Sequence, residues 1–193
     1  MKGFIAGFEQ KKLTRRRILW LGGAGFSTLL LSSVYSSPIL ARTTKKSQIL
    51  STVDILAIQD LSTRYFYVLD GLDKLIVGDP ATNWANTFTP DGTFSIVQTN
   101  GEVLLKATGF DDLIRTYKTF PDIQTTRHWI NDLVIEPDVA GAKSGCYIIA
   151  MNIKNNPATI IRSGIYQDRL VKIRDRWKFK SRTLILDPNS PAG

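Results

Sequence analysis

Four long strand-like segments in the second half of the 193-residue chain constrain its fold more than any other feature. Residues 124–136, 142–154, 159–173 and 177–186 are rich in β-branched and aromatic side chains, which favour strands. The connections between them are short and contain Pro, Gly, Asn or Asp, the residues of tight turns. Strands joined by such turns pair antiparallel, so the sequence predicts a four-stranded meander.

Two helical segments lie near the start of the folded part. Residues 51–70 open with a Ser51 and Asp54 capping pattern and carry apolar side chains at steps of three or four, which predicts a long amphipathic helix. Residues 80–88 begin with a proline, a residue suited to a first helical turn, and predict a short second helix.

A hairpin and a third helix complete the pattern. Residues 93–98 and 102–107 predict two short strands across a turn, and residues 108–120 predict a helix capped by Thr108. Three helices and a mainly antiparallel sheet predict an α+β fold with the helices on one face of a curved sheet. The expected buried side of the third helix carries Phe110, Leu113, Ile114 and Tyr117.

The last strand contains an alternation of basic and other residues. Lys178, Lys180 and Arg182 are spaced two apart and therefore fall on one face of a regular strand. Because long cationic side chains are mostly exposed, we expect this face to be the solvated outer one.

The charge distribution argues against nucleic-acid binding. The first 46 residues hold nine Lys or Arg and one acidic residue, Glu9, which accounts for the whole formal charge of +8. The remaining chain is neutral overall, so the predicted domain lacks the basic footprint of a nucleic-acid-binding protein.

The basic start of the chain has the layout of an export signal. A positive segment, an apolar stretch and a small-residue region occupy residues 1–41. Within it, Thr14, Arg15, Arg16, Ile18 and Leu19 resemble the twin-arginine export motif. The resemblance implies export of the folded protein to a periplasm, a thylakoid lumen or the extracellular medium. An uncleaved membrane anchor is the alternative, and it would be the chain's only membrane contact.

Metal binding through the usual nitrogen and sulfur ligands is not expected. The chain has one histidine, His128, and one cysteine, Cys146, which is too few for a dedicated zinc site of the His/Cys type. Cys146 lies in an apolar strand-like context and has no second cysteine to pair with, so we expect a buried free thiol.

The order of the elements resembles a known superfamily. Residues 58–73 and 88–94 match its first helix and first strand, and residues 108–117, 125–135 and 176–186 match its third helix and later strands. On these segments the chain resembles the SnoaL-like and scytalone-dehydratase-like branch of the nuclear-transport-factor-2-like superfamily. The resemblance implies a cone-shaped α+β barrel at 52–187, preceded by a polar joint at 42–51 and followed by a short tail at 188–193.

The resemblance also implies a site. By position, Asp70 and His128 match the family's acid/base pair, and Tyr65 matches a phenol that orients or polarises a carbonyl. An imidazole with an adjacent carboxylate can take and return a proton near neutral pH, and such chemistry needs no cofactor. Asn131, Asn152 and Trp84 are predicted substrate contacts.

Two functions are compatible with these residues. One is a cofactor-free dehydratase or isomerase that acts on a small hydrophobic cyclic molecule. The other is a non-catalytic ligand-binding or association module, because the same fold also dimerises through its open sheet face. Under either interpretation the resemblance implies a homodimer and a small hydrophobic ligand.

Overall fold

The computed structural model describes residues 49–72, 74–121 and 123–190. The predicted export signal at 1–41, most of the joint at 42–51 and the end of the tail at 188–193 lie outside the described residues. Across the described ranges, no helix is long and apolar enough to cross a membrane.

Three helices and six strands make up the described part of the chain. The helices are α1 (Thr52–Leu69), α2 (Pro80–Ala85) and α3 (Phe110–Tyr117), and a 3-10 turn covers Ile123–Thr125. The strands are β1 (Phe88–Val97), β2 (Val103–Thr108), β3 (Thr126–Asp138), β4 (Gly141–Asn152), β5 (Thr159–Ile173) and β6 (Arg176–Leu186).

The sheet has the order β2-β1-β6-β5-β4-β3. All neighbouring strands are antiparallel except β1 and β6, which pair in parallel. Strands β3 to β6 form a meander in chain order. Strand β1 pairs with β6, the last strand of this meander, and β2 forms the edge of the sheet next to β1. The predicted α+β fold, a cone-shaped arrangement of three helices on a curved, mostly antiparallel sheet, is confirmed.

Helix α1 starts where its capping residues predict. The backbone N–H of Asp54 donates to the Ser51 hydroxyl, and the Asp54 carboxylate in turn accepts from the Ser51 backbone N–H, each over 3.2 Å. This reciprocal pair satisfies two backbone donors that a helix start otherwise leaves exposed. The helix ends at Leu69, and two residues later Gly71 has a φ of +66°, which is costly for any residue with a side chain.

Helices α2 and α3 differ from the sequence-based expectation at their ends. Helix α2 stops at Ala85, and strand β1 begins at Phe88, so the turn-like residues 90–92 lie inside an irregular start of β1. Helix α3 begins after Gly109 without a side-chain cap, and Thr108 instead donates its backbone N–H to Asp112. The expected cap at Thr108 is therefore wrong.

A β-bulge in β6 changes which side chains face the core. Phe179 pairs with Leu170 and Ser181 pairs with Arg169, so Lys180 is an extra residue in the strand. The extra residue shifts the alternation by one position, and Phe179 and Arg182 are both buried. The prediction that Arg182 lies on the solvated outer face is therefore wrong.

The core between helices and sheet is rich in aromatic rings. Tyr65 of α1 contacts the rings of Phe66, Trp84, Phe88 and Phe179 at centroid distances between 5.0 and 6.0 Å. Edge-on and tilted contacts of this kind add to the free energy of burying the rings themselves. The cluster fixes α1 and α2 against the inner face of the sheet, and the end of α1 is thereby held near β3.

Candidate functional site

Asp70 and His128 are in direct contact at the end of α1. Asp70 is the first residue after the helix and is only 5% exposed. One of its carboxylate oxygens accepts from the His128 backbone N–H over 3.0 Å, and the other forms a short hydrogen bond with the His128 Nδ1. Both carboxylate oxygens are therefore bound by the same residue of β3.

The position of Asp70 at a helix C-terminus would ordinarily be unfavourable for a carboxylate, because the helix dipole is negative there. Two neighbours offset this effect. The backbone N–H of His128 supplies a donor to the carboxylate, and the Arg127 guanidinium donates to the Asp70 backbone carbonyl over 3.3 Å. Arg127 is thus half-buried against the helix end.

The contact with Asp70 determines how the His128 ring can act. An ionised carboxylate only accepts hydrogen bonds, so in the neutral ring the proton is held on Nδ1. Nε2 then carries the lone pair and is the nitrogen that remains for a ligand. The ring itself packs beside Phe66 at a centroid distance of 5.7 Å and is 12% exposed.

His128 lies in the wall of a cavity of about 290 Å³ between the helices and the sheet. This volume is near the lower end of the range for small-molecule sites, roughly 300 to 1,000 Å³. The polar members of the wall are Thr119, Thr126, His128 and Arg162. The remaining wall is apolar and includes Leu69, Phe94, Leu105, Phe120, Ile161 and Leu184.

Two of the predicted site residues lie in the core and do not reach the cavity. Tyr65 and Trp84 are fully buried in the aromatic cluster, and neither lines the cavity. Tyr65 lies on the apolar stripe of α1 with Ile58 and Leu61, and that stripe faces the core. The expected pocket positions of Tyr65 and Trp84 are therefore wrong.

The two predicted asparagines also lie away from the cavity. Asn131 is exposed on the outer face of the sheet, next to a bulge at Asp132, whose φ is +55°. Asn152 is half-buried at the end of β4, where its side chain accepts from the Lys154 backbone N–H. Neither lines the cavity, which therefore gives no support to the predicted substrate contacts at Asn131 and Asn152, and these contacts stay predictions.

Arg162 is a cavity residue that sequence reasoning did not identify. The register of the sheet pairs His128 with Ala150 and Ala150 with Arg162, so the three side chains form one row across β3, β4 and β5. The alternation along β5 could have identified it. Arg162 precedes the buried residues Tyr166 and Leu170 by an even number of positions, so all three side chains point to the same face of the sheet.

A buried ion pair lies deeper in the core than the cavity. Arg182 is fully buried, and its guanidinium carbon lies 4.1 to 4.9 Å from four aromatic ring centroids. Its Nε is 3.7 Å from Asp168, which also accepts a hydrogen bond from Ser144 over 2.8 Å. Burial raises the pKa of the Asp168 carboxyl, while Arg182 and then the Ser144 hydrogen bond act in the opposite direction.

The Cys146 thiol is buried on the inner face of β4, as its sequence context predicts. Burial raises the pKa of this thiol to about 11, so the reactive thiolate is scarce at neutral pH. Within the described ranges, no three His, Cys, Asp or Glu side chains are grouped in a way that could hold a metal ion.

The sequence of this domain matches the model of a known protein family. A family model described as SnoaL-like domain matches residues 51–183. None of the curated proteins is significantly similar to the sequence.

Three solved structures illustrate the similarity of this chain to known proteins. A protein of unknown function from Mycobacterium tuberculosis is 27% identical, with a TM-score of 0.56 over 70% of this chain and 72% of that one. A candidate scytalone dehydratase from Novosphingobium aromaticivorans is also 27% identical, with a TM-score of 0.54 over 70% and 85%. A cystatin-like protein of unknown function from Nostoc punctiforme, 24% identical, has a TM-score of 0.58 over 75% and 98% and supports the fold alone.

Proposed function

Because the chain belongs to the SnoaL-like domain family, we propose that it is a cofactor-free dehydratase or isomerase of a small hydrophobic cyclic molecule. The observation that carries the proposal is the contact between the buried Asp70 carboxylate and the His128 ring in the cavity wall. The likeness to a candidate scytalone dehydratase supports the same class of reaction.

His128 is the proposed acid and base. Its Nε2 takes a proton from the carbon next to a substrate carbonyl, and the electron pair of that C–H bond moves to the carbonyl oxygen as an enolate forms. Asp70 holds the ring in the required tautomer and stabilises the imidazolium that results. Asp70 is thus a positioning residue, because it reaches the substrate only through His128.

The second half of the reaction decides between a lyase and an isomerase. If the substrate carries a hydroxyl at the β carbon, the enolate expels it, and the proton on Nε2 leaves with it as water. If it does not, the same proton returns to a different carbon and the product is an isomer. Apolar walls around the ring exclude bulk water and strengthen the electrostatic contacts inside.

A simple probe tests this proposal. 3-Hydroxy-1-tetralone is a bicyclic β-hydroxyketone that loses one water to give fluorescent 1-naphthol. We expect the protein to accelerate this dehydration and His128→Ala to reduce the rate by about 10²- to 10⁴-fold, the usual contribution of a general base. Asp70→Asn should also reduce the rate and shift its pH profile. The exposed Glu136→Gln change on the same strand serves as control and should leave the rate unaltered.

Two outcomes would contradict the proposal. A rate of 1-naphthol formation that His128→Ala leaves unchanged would exclude His128 as the base. Saturable binding of the tetralone without turnover, measured by calorimetry, would instead favour a non-catalytic ligand-binding module.

The outer face of the sheet favours a second proposed function, association with another copy of the chain. Trp129, Tyr147 and Ile165 are 48%, 56% and 38% exposed and lie on adjacent strands of that face. Exposed apolar side chains grouped in this way are typical of interfaces between proteins. We propose a homodimer through this face.

The oligomeric state tests the homodimer. We expect sedimentation to give a dimer and Tyr147→Lys to give a monomer with an unchanged free energy of unfolding per chain. Leu104→Lys, on the edge strand β2, is the control and should stay dimeric. A wild-type monomer across micromolar concentrations would contradict the proposed interface.

Export is a separate proposal and depends on residues 1–41 alone. The resemblance to the twin-arginine motif at Arg15 and Arg16 supports it. Replacing both residues by lysine should retain a fluorescent reporter, fused after residue 41, inside the cell. Unchanged export of this variant would contradict a twin-arginine route, and the mass of the exported chain would distinguish cleavage from anchoring.

A further inference from the structure

The hydroxyl of Tyr117 makes a buried hydrogen bond that takes no part in the proposed proton transfer. It donates to the backbone carbonyl of Val68 over 2.8 Å and so joins the last residue of α3 to the last turn of α1. Asp70 follows Val68 by two residues, and its carboxylate binds His128. The hydrogen bond therefore lies beside the acid/base pair, although Tyr117 does not line the cavity.

The end of α1 depends on donors from outside the helix. The last carbonyls of a helix have no partner within it, and a buried carbonyl without a donor is costly. The Val68 carbonyl also accepts from the Gly71 N–H, over the longer distance of 3.1 Å. The Asp70 carbonyl accepts from Arg127 over 3.3 Å. Tyr117 thus supplies the shortest of these three hydrogen bonds, and the one among them that comes from α3.

Packing fixes the position of the Tyr117 ring. Tyr117 lies one turn after Leu113 on the buried side of α3, and only 6% of it is exposed. Its ring packs beside Trp84 at a centroid distance of 5.8 Å and beside Phe120 at 6.2 Å. Because these contacts hold the ring and not the hydroxyl, phenylalanine fits the same place and loses only the hydrogen bond.

The Tyr117 hydroxyl stays protonated, and is therefore a donor, at neutral pH. Burial raises its pKa to about 12, and the negative charges of Asp79 and Asp70 act in the same direction. The Asp70 carboxylate is thus near enough for its charge to act on this hydroxyl.

From this arrangement we infer that Tyr117 is a positioning residue, whose hydroxyl holds the end of α1 so that the Asp70 carboxylate meets the His128 ring. The inference rests on the proposed function and adds the residue that aligns its acid/base pair. A carboxylate displaced by a fraction of an ångström no longer fits both donors of His128, and the imidazolium formed in the reaction loses stabilisation. The rate of the chemical step, rather than the affinity for the substrate, therefore depends on Tyr117.

Tyr117→Phe tests the inference in the full chain. For dehydration of 3-hydroxy-1-tetralone we expect about a tenfold lower kcat and a KM within about twofold of the wild type, because misalignment of a catalytic group affects the chemical step.

NMR of the protein with isotope-labelled histidine gives a second measurement, which needs no turnover. His128 is the one histidine of the chain, so the ring nitrogen signals belong to it, and the Nδ1 signal reports the hydrogen bond to Asp70. In Tyr117→Phe this signal should shift toward its position in Asp70→Asn, where the carboxylate is absent.

Thr87→Val is the matched control. The Thr87 hydroxyl is also buried, and it donates over 2.7 Å to the carbonyl of Trp84 near the end of α2. Its removal should destabilise the fold to a similar extent, measured by urea unfolding, yet leave kcat and the Nδ1 signal at their wild-type values.

The possible results separate this inference from the proposed function. A wild-type Nδ1 signal in Tyr117→Phe, with or without a loss of rate, would overturn the positioning role and leave the proposed function standing. The same conclusion would follow if Thr87→Val changed the signal and kcat as much as Tyr117→Phe. No dehydration of the tetralone by the wild type, together with a shifted signal in Tyr117→Phe, would overturn the proposed function and support the positioning of Asp70 by Tyr117.

Discussion

Arg182 and Asp168 are two charged residues that lie buried together in the core. Both side chains are almost completely inaccessible, and the distance between them is longer than a hydrogen bond. Removing two charges from water is costly, and the attraction between them offsets that cost only while both are present. The pair is therefore sensitive to the loss of either member.

We predict that single substitutions of this pair destabilise more than the double one. Arg182→Met should lower the free energy of unfolding by about 3 to 5 kcal/mol, because it leaves a buried carboxyl without its partner. Arg182→Met combined with Asp168→Leu should recover part of this loss. Urea unfolding of the four proteins measures the coupling, and strictly additive effects would contradict an interacting pair.

Sequence reasoning about the site was correct for some residues and incorrect for others. Asp70 and His128 were predicted as partners from a resemblance, and the structure brings them into contact; their catalytic role stays a prediction. Tyr65 and Trp84 were misplaced because an aromatic side chain suits a core and a pocket equally well. Only the packing of α1 and α2 on the sheet decides between the two.

At the scale of elements, the start of α1 is connected to the last hairpin. The Asp54 carboxylate accepts from Ser51, from the Lys172 ammonium over 2.9 Å and from the Trp177 indole N–H over 3.0 Å. These hydrogen bonds, that from Ser51 foremost, hold the pKa of Asp54 well below its usual range. The same carboxylate thus caps a helix and joins it to β5 and β6.

The lowered pKa predicts how stability depends on pH. A carboxyl with a lower pKa in the folded state contributes stability above its unfolded value of about 3.9, and this contribution is lost as the pH falls toward the folded value. Asp54→Asn should therefore lower the urea midpoint at pH 7 and approach the wild type below about pH 3. Asp60→Asn, whose ion pair with Arg64 is exposed, should have little effect at either pH. A deficit in Asp54→Asn that is constant with pH would contradict the assignment.

Most element types could be predicted from sequence because periodicity and caps are local signals. Ser51, Asp54 and the stripe of α1 follow these rules, and so do the ends of β5. The predictions of which side chains face the core were wrong at β-bulges, because the position of a bulge depends on the partner strand. The bulges at Lys180 and near Asp132 change which face of the sheet the residues after them point to. A single sequence does not show where such bulges occur.

For the molecule as a whole, the pairing of β1 with β6 connects the two ends of the domain. Phe94 lies opposite Arg182, and Ile96 lies opposite Leu184, so the contacting segments are far apart in sequence. Such pairings must close a long loop before any contact is gained, and the entropic cost of closure slows folding.

We expect refolding to take milliseconds or longer rather than microseconds. Stopped-flow tryptophan fluorescence after dilution from urea would measure it, since Trp84 and Trp177 become buried on folding. Complete recovery within the dead time of mixing would show that the β1–β6 pair does not limit the rate.

Ala150 determines how much space the cavity offers beside His128. The separation of His128 and Arg162 is set by two backbone spacings of the sheet, which hydrogen bonding keeps nearly constant. The backbones of this row therefore keep their spacing, and only the length of a side chain can alter how far its functional group reaches into the cavity. Evolution could narrow the cavity beside His128 through a larger side chain at position 150, where alanine now adds only a methyl group to the wall.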